Sequence, residues 1–293
     1  MLTLSRSISK SKLLQPASNS SSNSFVFSRS FIWQVMQKTG NLYCDLAQYY
    51  DFFCAEVDYV QQCEFTQRAF VLFASSSAKD YLDLACGTGQ HMAQMERYGF
   101  TASGLDNSAE MLAQAAVRCP TAHLLLSDLA SFTYVDDFDL ITCFLYSIHY
   151  SHPTSALTQT LRNVYAALKP GGVFIFNAVD ARGIRNDNGV ITHVTDGTSQ
   201  LDFQSSWFYG GAGEVLDLNL SITRVTAAGT QRWLDHHVMT AVTLPQLQEL
   251  LTSIGFEVTV LEHDYTLLQR WDAVSANVIY VACKPLQSQF SPC

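Results

Sequence analysis

One twelve-residue stretch, DYLDLACGTGQH at Asp80–His91, constrains the fold of this chain more than any other. Tyr81-Leu82-Asp83-Leu84-Ala85 is apolar and stops abruptly at a glycine-bearing turn, which predicts a short buried strand. Gly87 and Gly89 permit backbone conformations that a Cβ would hinder and leave room for a ligand against the main chain. From Gln90 onward the pattern is helical. A strand, a tight glycine turn and a helix N-terminus in succession can hold a polar small molecule with backbone N–H groups.

The same alternation then repeats. Strands are expected over 102–105, 122–127, 138–144 and 173–177, and helices over 92–98, 108–118 and 157–168, with a sharp turn at Lys169-Pro170-Gly171-Gly172. Strands spaced by helices predict βαβ units and a parallel sheet covered on both faces. Upstream, 60–73 has helical spacing, and the aromatic run YCDLAQYYDFF over 43–53 predicts a short helix or lid. Downstream, 199–209, 214–225 and 231–242 alternate apolar and polar residues between glycine-bearing turns, which predicts an antiparallel meander before a helix at 244–253. The fold class expected is α/β, doubly wound, with an antiparallel β insertion over 185–243 that serves as a cap or a dimer surface.

Ligands in such sheets bind outside the carboxyl ends of the strands, and here those ends carry acids. A nicotinamide fingerprint would need a third glycine where Met92 stands, and a pyrophosphate would be repelled by Asp83. Asp83 suits a cationic group instead. Asp106, at the tip of the next strand, is placed to accept hydrogen bonds from two ribose hydroxyls. Asp128, at the third tip, can accept from an exocyclic adenine amine. A nucleoside with a positively charged tail satisfies all three.

At this point the chain resembles the class I S-adenosylmethionine-dependent methyltransferases. LDLACGTG (82–89), GLDNSAEML (104–112), SDLASF (127–132), FDLITCF (138–144) and LKPGGVFIFN (168–177) match that family's motifs in order. Ala85 departs from the pattern, since a glycine usually stands there. The resemblance implies S-adenosylmethionine as cofactor and a Rossmann-like, mostly parallel sheet of seven strands, completed by 255–262 and 277–284. It implies that Asp83, Ala85, Gly87 and Gly89 surround the amino-acid tail, with Phe144 close by. Asp106, with Asn107 and Met111 beside it, would hold the ribose, Asp128 and the N–H of Leu129 the adenine, and Tyr50 would close over the cofactor. The nearest resemblance is to the small-molecule branch, the N-methyltransferases of amino sugars and of glycine.

Methyl transfer is an in-line attack on a sulfonium methyl, so the protein has to align reactants, exclude water and, for an amine or hydroxyl, remove a proton. His149 in SIHY, just past the fourth strand, is the expected proton acceptor and Tyr146 the second candidate. Tyr49, Trp207, Arg224 and His236 are the expected acceptor contacts; Tyr209, Arg232 and His237 are further polar and aromatic candidates on the meander.

Charge and composition narrow the partners. A net charge of −9 argues against nucleic acid and anionic membrane surfaces, which leaves a small-molecule acceptor, and a homodimer if the meander is a dimer surface rather than a cap. The eight cysteines include no C-x-x-C pair, so no metal site is expected and reduced thiols are. Residues 1–40 hold five basic and no acidic side chains and a serine-rich run at 18–24. They read as a transit peptide, a disordered tail or sequence upstream of a start at Met36, with 41–293 as the methyltransferase domain. A cytoplasmic location is expected, or an organellar one if the extension is a transit peptide.

Overall fold

A computed structural model describes residues 36–187 and 189–286. All of the described residues belong to one compact unit. In chain order they form β1 (Met36–Thr39), α1 (Tyr50–Phe53), α2 (Tyr59–Phe73), β2 (Asp80–Leu84), α3 (Gln90–Arg97), β3 (Thr101–Asp106), α4 (Ala109–Arg118) and β4 (His123–Leu126). There follow β5 (Phe138–Cys143), α5 (Thr154–Ala167), β6 (Leu168–Val179), β7 (Val190–Asp196), β8 (Ser199–Tyr209), β9 (Val215–Thr226) and β10 (Gly229–Thr240). The chain continues through α6 (Leu244–Ile254), β11 (Glu257–Glu262) and β12 (Asn277–Cys283).

Seven strands form one sheet in the order β11-β12-β6-β5-β2-β3-β4. Pairings from β6 to β4 are parallel, and β12 joins β6 and β11 antiparallel. Side-chain alternation divides the core between the two faces. Leu82, Leu84, Ile141, Phe174 and Phe176 pack with α5 and α6. Tyr81, Leu140, Val173 and Ile175 pack with α2, α3 and α4. Central strands buried on both faces become almost continuous apolar runs, as FDLITC in β5 does. The chain moves outward from β2 in one direction through β3 and β4, and in the other through β5 and β6. The β2/β5 junction is therefore the switch point, where the carboxyl ends diverge and leave a crevice.

The second sheet, in the order β1-β10-β9-β8-β7, is the antiparallel insertion with one addition. β1 pairs parallel with β10, Met36 opposite Gln231 through Thr39 opposite Leu234. The expected boundary at residue 40 is thus corrected: the fold is already under way at Met36, and the expectation for 1–35 lies outside the described residues. The turn expected at 169–172 is also corrected. Those residues lie within β6, where the β5 pairing slips between Phe138 and Leu140 and Gly171 takes a positive φ of 83°.

Local signals start and stop the elements around the crevice. Ser108 caps α4 by accepting from the Met111 N–H at 3.1 Å. Thr243 and Gln246 form a reciprocal capping box on α6, which ends at Gly255 in the left-handed region. Among the described residues no helix is long and apolar enough to cross a membrane, and the seven described cysteines are free thiols.

Candidate active site

A cavity of about 870 Å³ opens at the carboxyl ends of β2, β3 and β4 and is walled on its far side by the five-stranded sheet. Its floor carries Ala85, Gly87, Asp106, Met111, Asp128 and Leu129, and Asn107 lies beside them. Its wall carries Trp207, Leu218, His237 and Met239. A second cavity of about 20 Å³ adjoins it and shares Tyr50, Ala85, Leu145 and Ser147; Asp83, His91 and Phe144 are among its other lining residues. That volume suits one water or one ammonium head.

The glycine turn owes its shape to three successive left-handed residues at alternate positions. Ala85, Gly87 and Gly89 have φ of 54°, 53° and 82°. Ala85 keeps the conformation that a glycine would adopt without strain, so the departure noted in the sequence leaves the turn's path unchanged. A Cβ on Gly89 would lie 3.1 Å from the Met92 side chain and 3.3 Å from the Ala115 backbone, so α3 and α4 close on that position. A Cβ on Gly87 would face the ring of Tyr50 at 3.5 Å, because that ring lies over the turn.

Asp83 is almost wholly buried. Its Oδ1 accepts from the Thr142 hydroxyl at 2.7 Å, and Thr142 is in turn 2.7 Å from the Tyr81 hydroxyl. Its Oδ2 has no hydrogen-bond partner. The nearest basic group, His91 Nδ1, lies 3.9 Å away. His91 Nε2 sits 2.7 Å from Gln62 Oε1, which places the imidazole proton on Nε2 and leaves Nδ1 with nothing to donate. Burial also drives the His91 pKa down to about 3, so no positive charge offsets the carboxylate. Burial accordingly raises the Asp83 pKa to about 7, against the opposing hydrogen bonds of Thr142 and Tyr81. A buried carboxylate with one bare oxygen facing an ammonium-sized cavity fits a cationic amino group.

Asp106 is organised differently. Its Oδ2 accepts from the Gly87 N–H at 2.8 Å and its Oδ1 from the Ser108 N–H at 2.9 Å. The same carboxylate therefore ties the glycine turn to the start of α4. Each oxygen keeps a further lone pair for a diol. Burial pushes its pKa up, against the backbone donors. Asp128 is exposed at the cavity rim and accepts from the Ala130 N–H at 3.0 Å. These three acids, with the cleared turn, fit the nucleoside and amino-acid ends of S-adenosylmethionine.

The N-terminal segment is latched to this floor. Asp51 of α1 accepts from the Thr88 hydroxyl at 2.7 Å and from Arg118 at 2.7 Å, and Arg118 also donates to the Thr88 carbonyl. Ser108 donates to the Tyr43 carbonyl, and Gln114 donates to the Ala47 carbonyl at 3.1 Å. Tyr43 and Tyr50 both line the cavity. Neither Asp51 nor Arg118 carries a sequence signal of this role, because their meeting depends on how α1 docks onto α4.

Several expected contacts fall elsewhere. His149 does not line the cavity. Its Nδ1 donates to the Thr240 carbonyl at 2.9 Å, and its Nε2 accepts from the Val179 N–H at 3.2 Å. Burial lowers its pKa to about 4. Both ring nitrogens are thus committed to the backbone, and His149 rivets the Ser147–Tyr150 turn to β6 and β10. Tyr49 is also withdrawn: it is buried against Trp233, with Arg224 3.4 Å from its hydroxyl. Arg224 itself reaches Ser199 and Tyr49 rather than the cavity. His236 points to the outer face of its sheet, 2.8 Å from Asp217.

Tyr146 and Trp207 do line the cavity, with their rings edge to face at 5.2 Å. Leu145 and Tyr146 both have positive φ, 55° and 61°, so the chain turns sharply at the β5 tip, and the Tyr146 N–H is held by Asn177 at 3.1 Å. Phe144 lies behind the turn, 5.1 Å from the His91 ring. Of the two adjacent candidates His236 and His237, it is His237 that reaches the cavity. Strand alternation would have found it had the inward register of β10 been known.

Residues 82–172 match the family described as methyltransferase domain. A putative methyltransferase of Geobacillus sp. (strain WCH70) is 29% identical over 139 residues, 46% of this chain and 56% of the relative. The dTDP-3-amino-3,6-dideoxy-alpha-D-glucopyranose N,N-dimethyltransferase of Streptomyces fradiae is 36% identical over 107 residues, 36% of this chain and 42% of the relative. The chain thus spans about half the length of these curated relatives. The crystal structure of Streptomyces venezuelae DesVI superposes with a TM-score of 0.68 at 22% identity, covering 81% of this chain and 98% of that one, so the fold is shared along nearly the whole of it. Residues 82–172 thus match a methyltransferase domain, and the order of the motifs, the switch-point cavity and the acid-tipped strands agree with that match.

Proposed function

We propose that the chain transfers the methyl group of S-adenosylmethionine to a small-molecule amine. The observation that carries this reading is the bare Oδ2 of buried Asp83, which needs a cation. Asp83 would receive the cofactor's ammonium, Asp106 the ribose diol, and Asp128 with the Leu129 N–H the adenine. Met111 and Asn107 would flank the ribose, and Tyr50 would cover the tail.

When bound, the cofactor supplies an electrophilic methyl on a sulfonium whose leaving group is a neutral thioether. The chain's own residues would orient the acceptor against the aromatic wall of Tyr146 and Trp207 and keep water out through the docked N-terminal segment. The amine preference rests on likeness to the amino-sugar N,N-dimethyltransferase, whose name gives that chemistry. A small acceptor rather than nucleic acid agrees with the net charge of −9. A soluble cytoplasmic enzyme, with its insertion also serving as a homodimer surface, completes the reading.

Calorimetry with S-adenosylmethionine and S-adenosylhomocysteine tests the cofactor half, and methyl transfer to a panel of nucleotide-linked amino sugars, amino acids and alcohols tests the rest. Binding of both with transfer to an amine is the expected result. Binding without transfer to any class would make the chain a cofactor-binding protein, and failure to bind either would refute the reading.

A further inference from the structure

The cavity has a floor for the cofactor, and its wall presents titratable groups that no part of that floor uses. Trp207, Leu218 and His237 stand in one row across β8, β9 and β10, each directly opposite the next, and all three line the cavity. Alternation of the three strands therefore aims that row inward as a unit. The His237 side chain is 13% exposed. Its ring lies 5.1 Å from that of Tyr43 and 5.6 Å from that of Tyr150, centroid to centroid.

Behind the ring, His237 Nε2 lies 3.0 Å from Asp235 Oδ2. The contact is close but off the line of an aligned N–H bond, so Nε2 is left without a formal hydrogen bond. The same Asp235 oxygen accepts from the Leu42 N–H at 2.8 Å, which anchors the carboxylate to the start of the N-terminal segment. Burial pushes the Asp235 pKa up, but His237 and the backbone donors outweigh it and hold the carboxyl below its usual range. No hydrogen bond engages Nδ1 among the described residues. The imidazole thus has a carboxylate beside one nitrogen and leaves the other open to a ligand.

Glu56 and Asp187 also line the cavity, and several of its other groups are poorer proton acceptors. Tyr43, Tyr50 and Tyr150 have pKa values raised chiefly by burial, and the Tyr43 and Tyr150 hydroxyls bond one another at 2.7 Å. Burial also raises the thiols of Cys44 and Cys54. Asp106 and Asp128 belong to the floor, with backbone donors of their own. His149 has no free nitrogen.

We infer that His237, oriented by Asp235, is the catalytic residue that takes the proton from the acceptor amine, an inference that rests on the methyl-transfer reading above. The acceptor arrives as R–NH₃⁺ and gives a proton to Nδ1, which forms an imidazolium facing Asp235 through Nε2–H. The freed lone pair forms the N–C bond as the C–S bond breaks, with its electron pair going to sulfur. The product leaves as a methylammonium with a neutral thioether, and His237 returns its proton to solvent. Asp235 is a positioning residue, and Tyr43 and Tyr150 wall the imidazole in from the N-terminal segment and from the turn after β5.

The test uses the full chain labelled with ¹⁵N-histidine and saturated with S-adenosylhomocysteine. Long-range ¹H–¹⁵N correlation, assigned by comparison with H237Q, should show neutral His237 as the Nε2–H tautomer, and D235N should lose that preference. With dTDP-3-amino-3,6-dideoxy-alpha-D-glucopyranose and simple primary amines as acceptors, H237Q should lower kcat by about 10²-fold. D235N should lower it about tenfold with the acceptor KM unchanged. In both variants the affinity for S-adenosylhomocysteine should stay within about twofold, which also shows that they fold. An Nδ1–H tautomer, or an H237Q enzyme with undiminished kcat, overturns the assignment of His237 alone. If none of the amines turns over, the tautomer decides. Failure of the unsubstituted chain to bind S-adenosylhomocysteine overturns the methyl-transfer reading itself, and this inference with it.

Discussion

The floor of the cavity and its wall obtain their side chains by different means. On the floor, Asp83, Asp106 and Asp128 stand within two residues of the ends of β2, β3 and β4. The turns that follow hold Asp106 and Asp128 by bonds to near neighbours, from Ser108 and Ala130, while Asp83 is held by Thr142 of β5. On the wall, each contributing residue is one of two alternating sets along a long strand, and pairing across the sheet selects the set. His236 and His237 make the contrast concrete: adjacent and chemically identical, one faces Asp217 at the surface and the other faces the cavity. Residues placed by a turn can be named from motif spacing, whereas residues placed by a strand face require the partner strand.

The largest effect is expected at Asp106. Asp106→Ala removes the tie between the Gly87 and Ser108 amides together with the proposed ribose acceptor, and should weaken S-adenosylhomocysteine binding about a hundredfold or more, roughly 3 kcal/mol. Unchanged affinity in calorimetry would remove Asp106 from the floor. Asp83→Asn should lower affinity by about tenfold or more while stabilising the ligand-free protein at pH 8. The sign follows from the raised pKa. The stabilisation from a neutral Asp83 is fully present below the unfolded pKa of about 3.8 and is lost as pH rises through about 7. The asparagine variant should therefore lose less stability between pH 4 and 7 than the parent, and cofactor binding to the parent near pH 6 should release a proton. Parallel melting curves for the two proteins across that range would contradict the bare carboxylate.

His149 tests the other side. His149→Ala leaves the Thr240 carbonyl and Val179 N–H unpaired in the core and should cost about 2–3 kcal/mol of stability, yet reduce kcat per folded molecule less than tenfold. A larger loss in kcat at full folding would return His149 to catalysis. Its depressed pKa adds a pH signature. The stability it contributes is present above the unfolded pKa of about 6.5 and is lost as pH falls through about 4. The alanine variant should lack that acid-side loss in urea titrations. The smallest effect is expected at Ala85. Ala85→Gly relieves a positive φ of 54° and should change stability by no more than about 1 kcal/mol with cofactor affinity unaltered. A large affinity change would mean that the methyl group itself touches the ligand.

The seven-stranded sheet was largely legible because its central strands are buried on both faces and end at glycines or acids, signals that are local to each segment. The expected starts of α4 and α6 hold to within one residue, since the caps Ser108 and Thr243 act within one turn, whereas α5 begins at Thr154, three residues before the expected 157. The elements that escaped reading lacked such signals. β1 is four residues that become a strand only against β10, and β7 has mixed polarity, its partner β8 supplying the register. Among site residues, Asp83, Gly87, Gly89 and Asp106 could be named from spacing. His149 could not be judged, because SIHY reads the same whether its imidazole is open or bonded to Thr240, 91 residues away in sequence. The Asp51–Arg118 latch and the Asp235–His237 pair were invisible for the same reason.

By itself, then, the sequence determined the parallel scaffold, the glycine turn and the three acids at the strand tips, because periodicity and turn chemistry act over a few neighbouring residues. Tertiary structure decided which of eight histidines reaches the cavity, which carboxylate is left bare and which is saturated, and how the N-terminal segment closes the site. Those properties depend on burial and on partners tens to hundreds of residues apart, and only the folded chain brings such partners within hydrogen-bonding distance.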